Sequence, residues 1–136
     1  MLEKLRDAAG GSVEGVTVGV WGLTFKANTD DLRDSPALVV CRALLEEGAT
    51  VRAYDPAAAE AAALLVPALD VVGDPYDAVT GAGLLALLTE WDEFRWLDFA
   101  RVADAMTAPR ALVDGRNLLD PAAMRRRGFA YQGVGR

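Results

Sequence analysis

The sequence predicts an α/β domain with a three-layer, Rossmann-like fold, in which an open, mainly parallel sheet of about five or six strands has helices on both faces. Short apolar runs with strand character alternate with helical patterns along the chain. One of these runs, residues 84–88, is apolar at every position, which is typical of a central strand covered on both faces. The 136 residues are 52% hydrophobic, which suits one domain with a substantial core.

The first strand and helix carry the clearest local signals. The strand over Thr17–Trp21 ends at Gly22, and a polar loop leads to a helix that begins at Pro36 and ends before Gly48. Ser35 stands at the N-cap position of this helix. The helix has apolar residues at helical spacing: Leu38, Cys41, Leu44 and Leu45.

The other elements follow from the same patterns. Residues 1–7 can form a helical turn or two before a glycine-rich break. The later patterns predict strands at 50–54, 71–72, 84–88, 111–113 and 129–132, and helices at 57–65, 75–79 and 121–127. An aromatic-rich stretch from Trp91 to about Met106 is predicted as helix that packs on the sheet, or that lends one aromatic side chain to a ligand site or a subunit contact.

Composition excludes several kinds of chemistry. The chain has one cysteine and no histidine, so it has neither an internal disulfide nor an imidazole base, ligand or catalytic partner. Cys41 lies on the apolar face of its helix, which favours a buried core thiol over a nucleophile. No residues form a pattern that predicts a metal site or a catalytic group.

Charge and hydropathy limit the kinds of partner that the chain is expected to bind. A net charge of −6 argues against nucleic acid, because phosphate backbones bind basic surfaces. An anionic ligand would require a local cluster of cations. No apolar run reaches the ~18 residues of a membrane span, and no signal peptide is recognisable, so the sequence predicts a cytoplasmic protein without membrane contact.

The loop after the first strand is a candidate ligand site. In open parallel sheets, ligands bind beyond the carboxyl ends of the strands. Lys26 supplies a mobile positive charge, and Arg33 supplies a planar fork suited to phosphate or carboxylate. The alternative is a solvated loop, since residues 28–31 are ordinary turn formers. Composition alone does not decide between the two.

A second loop points to the same edge of the sheet. Arg116 follows the strand at 111–113, so Lys26 and Arg116 can converge on one anion. The alternative is that Arg116 pairs with a surface acid. Asp55, at the end of the second strand, is interpreted as a turn and helix-cap residue. The glycines before it lack the G-x-G-x-x-G spacing, so we do not predict NAD binding by this domain's own first loop.

Five motifs follow one another along the chain: GLTFKANTDDLRDSP at 22–36, YDP at 54–56, TEWDEF at 89–94, DGRN at 114–117, and GFAY at 128–131 with GVGR at 133–136. Together they resemble the C-terminal, UDP-binding domain of the UDP-glucose/GDP-mannose dehydrogenase family, over nearly the whole chain. One departure is Ala27, where most members have proline. Losing that ring leaves the loop freer, which bears on affinity.

The resemblance implies a function and a set of site residues. It implies that Lys26 and Arg116 contact a UDP-sugar, that Phe25 lies beside it, and that Arg33 faces NAD held by a partner domain. It also implies that the catalytic cysteine belongs to a part of the enzyme absent from this chain, so Cys41 does not take that role. Family members generally form oligomers, and a homo-oligomer is expected for the full enzyme.

We therefore expect residues 1–15 to be a helical linker remnant and residues 16–136 to be the UDP-sugar-binding domain of an NAD-dependent UDP-glucose 6-dehydrogenase-like oxidoreductase, inactive without its partner domain. Uracil is expected over guanine from the resemblance alone. One alternative is a stand-alone module that binds UDP-sugar or supports assembly without catalysis. Another is a scaffold whose site has decayed, for which Ala27 is the only support.

Overall fold

The computed structural model describes residues 1–135; the last residue of the closing motif, Arg136, lies outside them. Its centre is a six-stranded sheet in the order β3-β2-β1-β4-β5-β6. Every pair of neighbouring strands is parallel. The predicted Rossmann-like fold is confirmed, and the sheet is entirely parallel where the sequence indicated a mainly parallel one.

The strands are short, as expected for a small α/β domain. They are β1 (Thr17–Trp21), β2 (Thr50–Tyr54), β3 (Asp70–Val71), β4 (Leu84–Leu87), β5 (Ala111–Asp114) and β6 (Ala130–Gly133). The third strand begins one residue earlier than the predicted strand at 71–72 and pairs with β2 through Asp70 and Val71.

The helices pack on both faces of the sheet, the first three on one face and the last three on the other. They are α1 (Leu2–Ala8), α2 (Pro36–Glu46), α3 (Ala59–Leu65), α4 (Pro75–Val79), α5 (Phe99–Ala105) and α6 (Pro121–Arg126), with a 3-10 helix at Asp92–Trp96. In the described part of the chain, no helix is long and apolar enough to cross a membrane.

The predicted helix from Trp91 to Met106 is wrong as one element, because it divides into two. The 3-10 helix over Asp92–Trp96 comes first, and α5 begins after Asp98. The Asp98 side chain accepts a hydrogen bond from the backbone N–H of Arg101, which caps the new helix. Local capping therefore interrupts a stretch whose apolar spacing looked continuous.

Side chains of alternate residues in each strand enter two separate core layers, as the pleat of a sheet requires. One layer contains Leu84 and Ala86 with the apolar faces of α1, α2 and α3. The other contains Leu85 and Leu87 with α4, α5, α6 and the 3-10 helix. All four residues of β4 are buried, which confirms the prediction of a central strand covered on both faces.

The N-terminal segment is part of this packing. Leu5 of α1 and Val13 after it are fully buried in the first core layer. The Arg6 guanidinium makes two hydrogen bonds to the Glu47 carboxylate, at 2.8 and 2.7 Å, and so ties α1 to the end of α2. The expected boundary at residues 15 and 16 stays a prediction.

Candidate functional site

The centre of the sheet provides the place for a ligand. Strands β1 and β4 are neighbours, but the chain continues from β1 to β2 on one side and from β4 to β5 on the other. The loops that follow these strands therefore diverge and leave a crevice at the carboxyl edge of the sheet, where Rossmann-like folds bind ligands. Three loops border this crevice: those after β1, β4 and β5.

The loop after β1 is locked to the loop after β4. Gly22 has a φ of +94°, and a Cβ at this position would lie 2.5 Å from Cβ of Thr89, so a side chain is excluded. The Thr89 hydroxyl donates to the carbonyl of Thr24 at 2.9 Å. The Trp91 indole N–H donates to the Thr24 hydroxyl at 3.3 Å. These contacts join the first and third motifs in space.

Asp55 holds the first loop from the other side. Its Oδ2 accepts hydrogen bonds from the backbone N–H groups of Leu23 and Thr24, at 2.8 and 3.2 Å. Its Oδ1 accepts from Ala57 and Ala58, in the turn before α3, at 2.8 and 2.9 Å. The predicted turn role is confirmed, but the helix-cap role is wrong, because α3 begins one residue beyond these N–H groups.

Ser35 has a different role from the one predicted. It occupies the N-cap position of α2, with Pro36 next, but its hydroxyl makes no capping bond. Instead the hydroxyl donates to the carbonyl of Leu23 at 2.7 Å. Ser35 and Leu23 are both buried, so solvent does not supply a donor to the Leu23 carbonyl. The Ser35 hydroxyl therefore bonds to this carbonyl and does not cap its own helix.

The tip of this loop is open to solvent. Phe25 is 45% exposed, and its backbone N–H closes the loop by donating to the carbonyl of Asp31 at 2.8 Å. Lys26 is exposed, and its ammonium has no hydrogen-bond or ion-pair partner within residues 1–135. The charge of Lys26 is therefore available to an anion.

Asp114 shapes the loop after β5. It is fully buried, and its Oδ2 accepts hydrogen bonds from the Leu119 backbone N–H and the Tyr131 hydroxyl, both at 2.8 Å. Its Oδ1 accepts from the backbone N–H of Arg116 at 3.2 Å. The motif that contains Asp114 did not by itself predict this role, although an acid at a strand end directly before Gly-Arg was a signal for it.

The side chain of Arg116 brings the loops together. Its Nε donates to the carbonyl of Leu88 at 2.9 Å, and its Nη2 donates to the carbonyl of Phe25 at 3.4 Å. Glu90 also lies beside it, with Oε2 3.2 Å from Nε. Because Phe25 directly precedes Lys26, the two predicted cations belong to loops that touch each other. Glu90 provides the acid that the alternative interpretation of Arg116 required, and the contact of Arg116 with a ligand stays a prediction.

The crevice beside Arg116 has a volume of about 280 Å³. It is lined by Met1, the first turns of α2 (Pro36, Ala37, Val40), and Leu88, Gly115 and Arg116. A Cβ on Gly115 would lie 2.5 Å from Cε of Met1 and 3.0 Å from the carbonyl oxygen of Leu87. A side chain at position 115 would have to displace the flexible end of Met1 and would crowd the carbonyl of Leu87.

The contacts of Arg33 differ from those of Arg116. Its guanidinium forms an ion pair with Asp31, with Nε 3.0 Å from Oδ1, and 89% of its side chain is exposed. The hydrogen bonds from Arg33 lower the pKa of the Asp31 carboxyl. A shallow pocket of about 260 Å³ is lined by Phe25, Asp31, Arg33 and Asp34, so Arg33 shares a surface with Phe25.

The chemistry available at this edge is that of binding. Lys26 offers a mobile positive charge, and Arg116 offers one that hydrogen bonds to the carbonyls of Leu88 and Phe25 hold in place. Cys41 is fully buried, as predicted, and burial raises the pKa of its thiol to about 12. A protonated, inaccessible thiol does not act as a nucleophile. An all-parallel sheet with a crevice at its central strands, lined in part by Arg116, defines the chain as a Rossmann-like domain with a candidate anion-binding site.

Comparison with known proteins identifies the family of this Rossmann-like domain. The model of the UDP-glucose/GDP-mannose dehydrogenase family, UDP binding domain, matches residues 19–121. A UDP-glucose 6-dehydrogenase of Rhizobium meliloti is 47% identical over 136 residues, and one of Pseudomonas aeruginosa is 46% identical over 142; each match covers 100% of this chain. The chain belongs to the UDP-glucose/GDP-mannose dehydrogenase family.

A solved structure supports the same family assignment. The UDP-glucose dehydrogenase of Pyrobaculum islandicum superposes with a TM-score of 0.79 at 33% identity, over 98% of this chain and 28% of that one. The chain spans about 31% of the length of the curated relatives it matches. The family predicted from the five motifs is confirmed.

Proposed function

We propose that this chain binds the diphosphate of a UDP-sugar, as the substrate-binding part of an NAD-dependent dehydrogenase of the UDP-glucose 6-dehydrogenase type. Lys26 and Arg116 bind the phosphate oxygens, and Phe25 packs beside the nucleotide. The observation that carries the proposal is the fixed Arg116 guanidinium, which touches the loop that bears the unpaired Lys26. Two cations at one rim suit one diphosphate.

The remaining parts of the reaction are assigned outside this chain. Arg33 faces NAD held by a partner domain, and the thiol that carries the reaction intermediate comes from another part of the enzyme. Binding energy at the diphosphate serves to align the distant sugar alcohol for hydride transfer. The isolated chain then binds the nucleotide sugar and does not reduce NAD. A homo-oligomer and a cytoplasmic location also stay predictions for the complete enzyme.

Isothermal titration calorimetry with UDP-glucose, UDP and GDP tests this proposal. We expect the unaltered chain to bind UDP-glucose and UDP. Replacing either cation, in Lys26→Ala or Arg116→Ala, removes a charge-assisted contact and weakens binding about 10- to 100-fold. Binding of UDP in preference to GDP would support uracil as the base.

A matched control is Arg126→Ala, which also removes one positive charge. Arg126 is exposed at the end of α6, away from the carboxyl edge of the sheet. We expect its substitution to leave the affinity within about twofold, because the exposed charge of Arg126 lies at the far end of α6 from the loop after β5 and is screened by salt. Affinities unaltered in both Lys26→Ala and Arg116→Ala would contradict the site assignment.

A further inference from the structure

Glu90 places an opposite charge beside the Arg116 guanidinium. Its Oε2 lies 3.2 Å from Nε of Arg116. This oxygen is buried, and it accepts no hydrogen bond from the described residues. The Nε hydrogen is directed instead at the carbonyl of Leu88, at 2.9 Å. Glu90 therefore places a negative charge beside Arg116 but does not orient the guanidinium.

Other groups orient Arg116. The carbonyls of Leu88 and Phe25 accept hydrogen bonds from its Nε and Nη2, and Asp114 accepts from its backbone N–H. None of these three contacts involves Glu90. The effect of Glu90 on a ligand at Arg116 is then mainly electrostatic.

The strength of that effect depends on the charge of the ligand. A carboxylate at this distance repels an anion bound at Arg116 and so offsets part of the attraction of the guanidinium. By Coulomb's law this repulsion grows with the charge of the anion. A terminal phosphate carries a charge of about −1.5 to −2 near pH 7. A phosphate esterified on both sides, as in a nucleotide sugar, carries a single negative charge.

We infer that Glu90 is a specificity-determining residue that disfavours nucleotides ending in a free phosphate relative to nucleotide sugars. The inference rests on the proposed function, since it assumes that the diphosphate lies at Arg116. Its chemical consequence is that a nucleoside diphosphate competes less well with the sugar-bearing ligand.

Calorimetry on the full 136-residue chain tests the inference with UDP and UDP-glucose as probes. Glu90→Gln keeps the size of the side chain and removes its charge. We expect the affinity for UDP to rise at least about threefold relative to the affinity for UDP-glucose, as Coulomb's law gives for one nearby charge at a protein surface.

Two variants serve as controls. Glu90→Asp keeps the negative charge and is expected to keep the ratio of affinities near that of the unaltered chain. Glu46→Gln makes the same chemical change at the exposed far end of α2, and is expected to leave the ratio unchanged. Thermal unfolding of each variant establishes that it is folded.

The outcomes are distinguishable. A ratio unchanged in Glu90→Gln overturns the inference and leaves the proposed function intact. A parallel loss of affinity for both ligands in a folded Glu90→Gln also overturns it, because Glu90 would then support the shape of the site. If the unaltered chain binds neither ligand, the proposed function is wrong and the inference falls with it.

Discussion

Two buried carboxylates, Asp55 and Asp114, hold the binding loops at the level of single residues. Asp55 accepts four hydrogen bonds from backbone N–H groups. Asp114 accepts from two backbone N–H groups and from the Tyr131 hydroxyl. Charge-assisted bonds of this kind are stronger than neutral ones, so each acid fixes a loop that would otherwise be free to move. Both acids therefore hold the loops that carry the candidate cations.

The buried thiol of Cys41 allows a second prediction at the level of a single residue. Because its thiol is fully buried and its pKa is raised to about 12, we expect a thiol reagent to modify the folded chain at least ~100-fold more slowly than the unfolded chain. Reaction with Ellman's reagent, followed with and without denaturant, measures the ratio. Comparable rates in the two conditions would show that Cys41 is accessible, against its place in the core.

At the scale of elements, close packing of a helix on the sheet depends on one glycine. Gly19 lies in β1, where a Cβ would be 2.6 Å from the carbonyl oxygen of Ala78 and 3.3 Å from Cα of Val79, both in α4. We expect Gly19→Ala to push α4 away from the sheet and to lower the free energy of unfolding by about 1–3 kcal/mol. Urea denaturation followed by circular dichroism measures this change.

The chain offers a matched control for that substitution. Gly73 precedes α4, and a Cβ there would meet nothing within 4 Å. Gly73→Ala is therefore expected to change the free energy of unfolding by less than about 0.5 kcal/mol. Equal losses in the two variants would mean that the cost at Gly19 comes from the added methyl itself and not from α4.

At the scale of the whole molecule, a large aromatic side chain lies exposed on one face. Trp96 is 78% exposed, whereas the nearby Phe99 is 5% exposed. A groove of about 610 Å³ runs between the 3-10 helix and α6, next to Trp96. Exposed apolar surface of this kind favours self-association of the isolated chain.

Trp96→Ser tests that expectation. We expect the variant to associate less at high concentration, as measured by sedimentation velocity, while its free energy of unfolding stays within about 0.5 kcal/mol of the unaltered chain. Leu64→Ser is a suitable comparison, because Leu64 is 83% exposed on α3, which packs on the other face of the sheet. Association unchanged in Trp96→Ser would contradict the role of this face.

The order of the sheet is also a property of the whole molecule. Alternating strand and helix patterns predicted a Rossmann-like fold, because parallel strands need long connections and bury both faces. Short elements were predicted less well. The boundary of β3 and the break at Asp98 depend on pairing with β2 and on one capping bond, and neither leaves a strong signal in the apolar spacing.

The amino-acid sequence by itself determined the fold class, the family and the two loops that carry the candidate cations, since strand periodicity and ordered motifs are local properties of the chain. The tertiary structure decided what each polar side chain contacts. Ser35 bonds to a loop carbonyl and not to its own helix, and Glu90 meets Arg116 across 26 positions of sequence. Such contacts depend on which loops the sheet brings together, and that arrangement exists only once the core has packed.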